Sequence, residues 1–381
     1  MPPETSASLR FSSPTAMPGI RRSVALEVRH ISKRFGERAA VDDVSFQVAE
    51  GEFVCLIGPS GCGKTTTLRM IGGYETPTSG EIYIHGRAVT HVPLNKRNIG
   101  MVFQNYALFP HMTVRGNVEF GLRIRKMPTA KRRRQVDAVL DLVELRQMAD
   151  RYPPQLSGGQ RQRVALARVI AYEPELLLLD EPLANLDKRL RDAMRVELKK
   201  LQEKIGITTI YVTHDQEEAL TMADRIAVMD QGRLLQLGKP SEVYNTPTTA
   251  FVATFLGDAS SFRAEVSAVT GTIAHLVTKD GLRTSIAHRG DLTVGDALAA
   301  SIRPERVRLS HHRPTESENL IAGVVDFVSY LGSYVVYVVR LPDNDVLLRA
   351  SEPIPSGAPS FSVGDQVFAS WGAGHAVYVK E

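Results

Sequence analysis

The stretch "FVCLIGPSGCGKTT", residues 53–66, decides the class of fold. Its first half is a short apolar run of strand length. Its second half fits G-x-x-x-x-G-K-[ST] from Gly58 to Thr65, and "KTTTLRMIGGY" continues it with helical periodicity, which is the strand–loop–helix setting the pattern requires. In that setting the backbone of Gly58, Pro59, Ser60, Gly61, Cys62, Gly63, Lys64, Thr65 and Thr66 wraps a row of phosphates. The Lys64 ammonium reaches the β and γ phosphates, and the Thr65 hydroxyl is a ligand for Mg²⁺. Cys62 contributes mainly its backbone.

Outward from this loop, strands and helices alternate from about residue 25 to 257. "LEVRHI" and "VSFQV" alternate as half-buried strands, while "NIGMVF", "ELLLLDEP", "TTIYVT" and "RIAVMD" are apolar strands. Unbroken runs such as Leu176–Leu179 fit strands covered on both faces, as in a parallel sheet sandwiched by helices. A largely helical stretch, Val114–Tyr172, interrupts the alternation. "LLLLDEP" puts Asp180 and Glu181 at the carboxyl end of a buried strand, where open α/β sheets bind ligands. Asp180 is expected to hold Mg²⁺, leaving Glu181 to orient or deprotonate the attacking water. Gln104 and His214 follow two further strands. Gln104 is expected at Mg²⁺ or the water, and His214 at the γ-phosphate.

A second segment, "QLSGGQRQR" at 155–163, asks for another explanation. Ser157 and Gln160 form a capping-box pair. Gly158 and Gly159 nevertheless occupy the first helical turn, where each costs roughly 1 kcal/mol relative to alanine. Free amides and the helix dipole make such an end a phosphate site, yet the chain already carries one complete cradle.

Taken in order, Gly58–Thr66, Gln104, "LSGGQRQR", "LLLLDEP", "ANLD" (Ala184–Asp187) and "THD" (Thr213–Asp215) resemble the motif set of ATP-binding-cassette ATPases. Ala184 stands where that family usually has Ser, and Asp187 is retained. The resemblance implies an α/β P-loop NTPase fold with a helical subdomain at about 105–172, and Phe35 stacking on adenine. It also implies a head-to-tail homodimer with two ATP at the interface. Ser157, Gly158, Gly159 and Gln160 of one chain would then complete the nucleotide site of the other, with Asp187 nearby.

From about Asp258 the texture turns to short alternating runs between Gly, Pro, Asp and Asn, an all-β signature. It resembles, through "SIRPERVRL", the OB-like regulatory (TOBE) domain of bacterial importer ATPases. The domains expected are therefore a disordered tail at 1–23 with Met17 as a candidate start, a cassette at 24–257 and a β-rich domain at 258–381. "VVDFVSYLGSYVVYVV" is similar in texture to polyamine importers. The implied assembly has two integral membrane permease subunits and, indirectly, a solute-binding protein, at the cytoplasmic face of a bacterial inner membrane. The apolar loop "NYALFPHMTV" is expected to be a socket for a helix of the membrane partner. The competing solutes are ferric iron, sugar or another small molecule; the competing class is a non-transport regulatory switch.

Bulk properties agree. Of 381 residues, 46 are basic and 42 acidic, a net +4 that falls short of a nucleic-acid binder. No apolar run approaches the roughly 18 residues that span a bilayer. Two cysteines suggest neither a disulfide framework nor a metal site, and fit a reducing compartment. The basic run Lys131–Arg134 is expected to be a solvated helix face.

Overall fold

The computed structural model describes residues 23–315, 317–341, 347–354 and 359–380. The tail expected at 1–23 therefore lies outside the described residues except for Ser23, as does Met17. The chain divides after Pro240 into two compact units.

The first unit runs β1 (Val24–Phe35), β2 (Arg38–Ala49), β3 (Phe53–Ile57), α1 (Lys64–Gly72), β4 (Ser79–Ile84), β5 (Arg87–Ala88), β6 (Ile99–Val102), α2 (Val114–Ile124), α3 (Thr129–Leu142), α4 (Gly158–Ile170), β7 (Leu176–Asp180), α5 (Lys188–Ile205), β8 (Thr208–Thr213), α6 (Gln216–Met222), β9 (Arg225–Asp230) and β10 (Arg233–Gly238). Six strands form one sheet in the order β10-β9-β3-β8-β7-β6. It is parallel except for β10, which pairs antiparallel with β9. Every residue of β3, β7 and β8 is buried, as the apolar runs of β3 and β7 demand of strands covered on both faces.

The strands β2-β1-β4-β5 make a second, antiparallel sheet. Its inward side chains, among them Leu26, Val28 and Phe46, join Leu68 and Ile71 of α1 and Leu56 of β3 in one core. The helical stretch resolves into three helices. Thr113 caps α2, Pro128 precedes α3, and Pro153 opens the short turn before Ser157 caps α4. Val118, Leu122, Val139, Leu140 and Val164 form their separate core. Lys131, Arg133 and Arg134 face solvent.

Helix α7 (Pro240–Asn245) starts at the division, and the second unit then carries α8 (Ala250–Phe255). It continues through β11 (Ser260–Thr270), β12 (Ile273–Val277), β13 (Arg283–Ala287), β14 (Ala297–Ile302), β15 (Arg308–Ser310), β16 (Asn319–Tyr330), β17 (Tyr334–Arg340), β18 (Leu347–Pro353), β19 (Gln366–Trp371) and β20 (Ala376–Lys380). Two antiparallel five-stranded sheets, β13-β12-β11-β14-β20 and β15-β19-β16-β17-β18, close on a core that includes Leu276, Leu298, Tyr337, Val367 and Trp371. The buried Arg303 ties the two short helices to this β structure. Its guanidinium donates to the carbonyls of Tyr244 (2.9 Å) and Ala253 (2.8 Å) and lies 4.1 Å from the Tyr244 ring centre.

Candidate functional site

The parallel register brings four strand ends to one edge of the sheet. Ile57 is paired with Thr213, Asp180 with Val212 and Val102 with Leu179. The residues that follow these strands (Gly58, His214, Glu181 and Gln104) therefore emerge side by side.

The Gly-rich loop is packed from behind. A Cβ on Gly58 would stand 2.1 Å from the Met229 carbonyl oxygen, and one on Gly63, at φ +107, would stand 2.6 Å from that of Ala40. Glycine is thus required at both positions by the loop's own neighbours, whatever it binds. The amide of Gly232 donates to the Cys62 carbonyl at 3.0 Å, which fixes the loop's middle. Lys64 is buried, with Nζ donating to the carbonyls of Gly58 and Pro59 at 2.8 Å each. The ammonium is thereby held across the loop. Gly63 ends the loop in a left-handed conformation, and no side chain caps α1. A helix start of this kind suits an anion. Cys62 is buried and burial raises its thiol pKa, so it is no reactive thiolate.

Thr65 Oγ1 donates to Asp180 Oδ1 at 3.1 Å. Burial raises the Asp180 pKa, and the Thr65 hydrogen bond opposes that shift. A hydroxyl beside one buried carboxylate is a hard-oxygen donor pair. Among the described residues no cluster of three His, Cys, Asp or Glu side chains forms a metal cage. Such a pair suits Mg²⁺, which is commonly held by one or two protein oxygens together with substrate phosphates.

Glu181 follows Asp180 with φ +45, a left-handed conformation for a residue with a side chain. Its amide donates to the Val212 carbonyl at 3.0 Å, and its Oε2 lies 3.2 Å from His214 Nδ1. Two of the residues expected to act on the γ-phosphate side are therefore in direct contact. Gln104 is exposed, and its carbonyl accepts from Asn185 Nδ2 at 2.9 Å. Phe35 ends β1 with 53% of its surface exposed and Lys33 Nζ 5.0 Å from its ring centre, so it is not a core residue.

The second glycine pair is also explained from within. Ser157 and Gln160 form the expected capping box, with bonds of 3.3 and 2.9 Å. A Cβ on Gly158 would meet Leu186 at 2.9 Å, and one on Gly159 would meet Leu190 and Met194 at 3.2 Å. These leucines and Met194 form a small apolar cluster with Leu183. Glycine lets the start of α4 lie against the start of α5, which Asp187 caps by accepting from the Leu190 amide at 2.9 Å. Among the described residues no hydrogen bond or ion pair joins Ser157–Gln160 to the Gly-rich loop of the same chain.

The loop after Gln104 is more ordered than an apolar surface loop suggests. Asn117, fully buried, bonds both the amide and the carbonyl of Phe109, and Phe109 packs on Phe120 with centroids 4.5 Å apart. Leu108 joins the helical core, while Ala107, Pro110 and His111 remain exposed. Sequence reasoning passed over Asn185, Asn117 and the buried Glu218. Only the place of Asn185 inside "ANLD" offered a signal.

Comparison with known proteins places these features. Residues 41–184 match the family model described as ABC transporter, and residues 300–379 that of the TOBE domain. The chain is 46% identical over 367 residues to a protein of Acidothermus cellulolyticus named spermidine/putrescine import ATP-binding protein PotA, covering 95% of this chain and 94% of that one. It is 47% identical over 358 residues to a protein of the same name from Rubrobacter xylanophilus, covering 93% and 94%. Among solved structures, a dimeric post-hydrolysis state of an ATP-binding cassette bound to ADP and Pi is similar with a TM-score of 0.50 and 35% identity, covering 56% of this chain and 98% of that one.

Proposed function

The chain belongs to the ATP-binding-cassette transporter family and is an ATPase, and from that premise we propose that it drives import of a polyamine of the spermidine/putrescine class. The observation that carries this reading is the near-full-length identity with spermidine/putrescine import ATP-binding proteins, which runs through both units. Ferric iron and sugar are the alternative cargoes.

In this reading ATP lies along Gly58–Thr66 with its adenine on the exposed ring of Phe35. The Lys64 ammonium exchanges its two loop carbonyls for phosphate oxygens. Thr65 and Asp180, with Gln104 near them, hold Mg²⁺, which supplies positive charge to the phosphates when bound. Water attacks the γ-phosphorus, the bond to ADP breaks, and the water proton passes to the Glu181 carboxylate. The His214 contact at 3.2 Å keeps that carboxylate turned toward the reacting side.

Two chains pack head to tail, with Ser157, Gly158, Gly159 and Gln160 of one facing the nucleotide of the other and Asp187 at the seam. The capped helix start of α4, unattached to its own chain's loop, supports this arrangement. So does the dimeric state of the related cassette. The partners are two membrane permease subunits and, through them, a solute-binding protein. The exposed residues Ala107, Pro110 and His111 form the rim on which a permease helix sits, at the cytoplasmic face of the membrane. Among the described residues no helix is long and apolar enough to cross a membrane itself.

Uptake of labelled spermidine by cells lacking the gene tests the cargo. Wild type restores uptake and Lys64→Ala does not. Restored uptake of ferric iron or maltose with unaltered spermidine uptake would assign a different cargo.

A further inference from the structure

Behind the His214 loop lies a buried carboxylate that the hydrolytic scheme does not use. Glu218, on α6, is 3% exposed. A single oxygen of it, Oε2, accepts from Tyr211 OH at 2.8 Å and from Thr213 Oγ1 at 2.6 Å. The Thr213 oxygen in turn accepts from the Asp215 amide at 3.0 Å. Asp215 closes the loop by accepting from the amides of Glu217 and Glu218 at 2.8 and 3.2 Å. Of the residues on both sides of His214, Thr213 is therefore pinned by its hydroxyl to a carboxylate inside the protein, and Asp215 is pinned by its amide to that same hydroxyl. His214 itself makes its contact on the outer side, with Nδ1 3.2 Å from Glu181 Oε2.

A buried carboxylate incurs a desolvation cost, and burial raises the pKa of Glu218. A hydrophobic residue here would satisfy the fold at less expense, provided the two hydroxyls had nothing to hold in place. We propose that Glu218 is a positioning residue for hydrolysis. Through Thr213 it sets the angle at which His214 meets Glu181. The proposal rests on the reading of the His214–Glu181 pair given above.

Because one oxygen takes both bonds, the chemistry needed is acceptance and not charge. A glutamine carbonyl placed there accepts both hydroxyls as well. The two donors are also unequal. Thr213 belongs to the His214 loop, whereas Tyr211 only buttresses the carboxylate.

The test is ATP turnover by the full-length protein, with ATP affinity measured in parallel. Glu218→Gln is expected to stay within about twofold of wild type, and Glu218→Leu to lose about tenfold or more in kcat with ATP affinity unchanged. Thr213→Val should reproduce the Glu218→Leu loss, and Tyr211→Phe should not. In a His214→Ala background Glu218→Leu should cause no further loss, since its effect passes through the missing imidazole. A purely structural role predicts that Tyr211→Phe and Thr213→Val change turnover alike, and that outcome overturns the proposal. Equal losses from Glu218→Gln and Glu218→Leu overturn it too. If His214→Ala alone turns over normally while Glu218→Leu is slow, the His214 reading has failed and the positioning role with it. If His214→Ala is slow and Glu218→Leu is normal, only the positioning role has failed.

Discussion

Glu181 is held at φ +45, and this has a measurable consequence that separates its steric cost from its chemistry. A residue with a Cβ in the left-handed region costs about 1–2 kcal/mol, from which glycine is exempt. Elsewhere an Ala-to-Gly change costs about 0.5–1 kcal/mol because glycine has more freedom to lose on folding. At position 181 the first effect exceeds the second. Glu181→Gly is therefore expected to be more stable than Glu181→Ala by about 0.5–1 kcal/mol, which amounts to roughly 1–4 °C in melting temperature for a unit of this size. Comparing these two variants cancels the lost contact to His214, since neither retains a carboxylate. Both lose turnover by about 10²–10⁴-fold, or roughly 3–5 kcal/mol of barrier, as expected for a missing general base. Differential scanning calorimetry of the nucleotide-free variants, read on the cassette transition, supplies the first number, and phosphate release supplies the second. Glu181→Ala melting at or above Glu181→Gly would falsify the strain assignment. Near-normal turnover of Glu181→Gln would remove Glu181 as the base. The geometry matches a general pattern in which backbone strain is retained at reacting groups because the surrounding fold over-determines it.

The head-to-tail arrangement predicts that a Lys64→Ala chain mixed with a Ser157→Arg chain forms a dimer trapping one ATP, while wild type paired with a chain carrying both changes traps none. Counting occluded nucleotide in isolated mixed dimers, with Glu181→Gln in every chain, decides it; the reverse pattern means that each site is self-contained. Arg303→Met removes the donors to the Tyr244 and Ala253 carbonyls and should destabilise the second unit by about 3 kcal/mol, each orphaned carbonyl costing about 1–3. ATP affinity should be unchanged, and a loss below about 0.5 kcal/mol in denaturant titration would show that Arg303 does not tie the short helices down. Pro110→Glu with His111→Glu should abolish coupled transport while leaving ATP turnover by the isolated protein intact, because both side chains are exposed. Transport at the wild-type rate removes the socket. Leu108→Ser or Phe109→Ser should instead loosen the helical subdomain, where these two residues pack.

Sequence by itself determined the elements whose causes are local. The glycines, Lys64 and Thr65 between an apolar strand and a helix define a phosphate loop, because backbone conformation and donor chemistry there depend on residues a few positions apart. The Ser157–Gln160 capping box was legible for the same reason, with both bonds falling as the spacing predicts. The unbroken apolar strands announced a parallel sheet, and the texture after Asp258 announced an all-β region. Tertiary structure alone decided what depends on partners distant in the chain. Gly158 and Gly159 suggested an approaching phosphate; the fold adds a second reason for glycine, since Leu186, Leu190 and Met194 occupy the space a side chain would need. The apolar loop at 105–114 suggested a free surface, yet Asn117 and Phe120 hold part of it inside the helical subdomain. Glu218 suggested nothing, since an acidic residue in the first turn of a helix usually serves the helix dipole in solvent. It is buried because β8 runs beneath α6 and brings Tyr211 and Thr213 to the same carboxylate oxygen. Spacing encodes neighbours within a few residues; the packing of one element on another, which fixes burial and the remaining hydrogen-bond partners, is set only when the whole chain has folded.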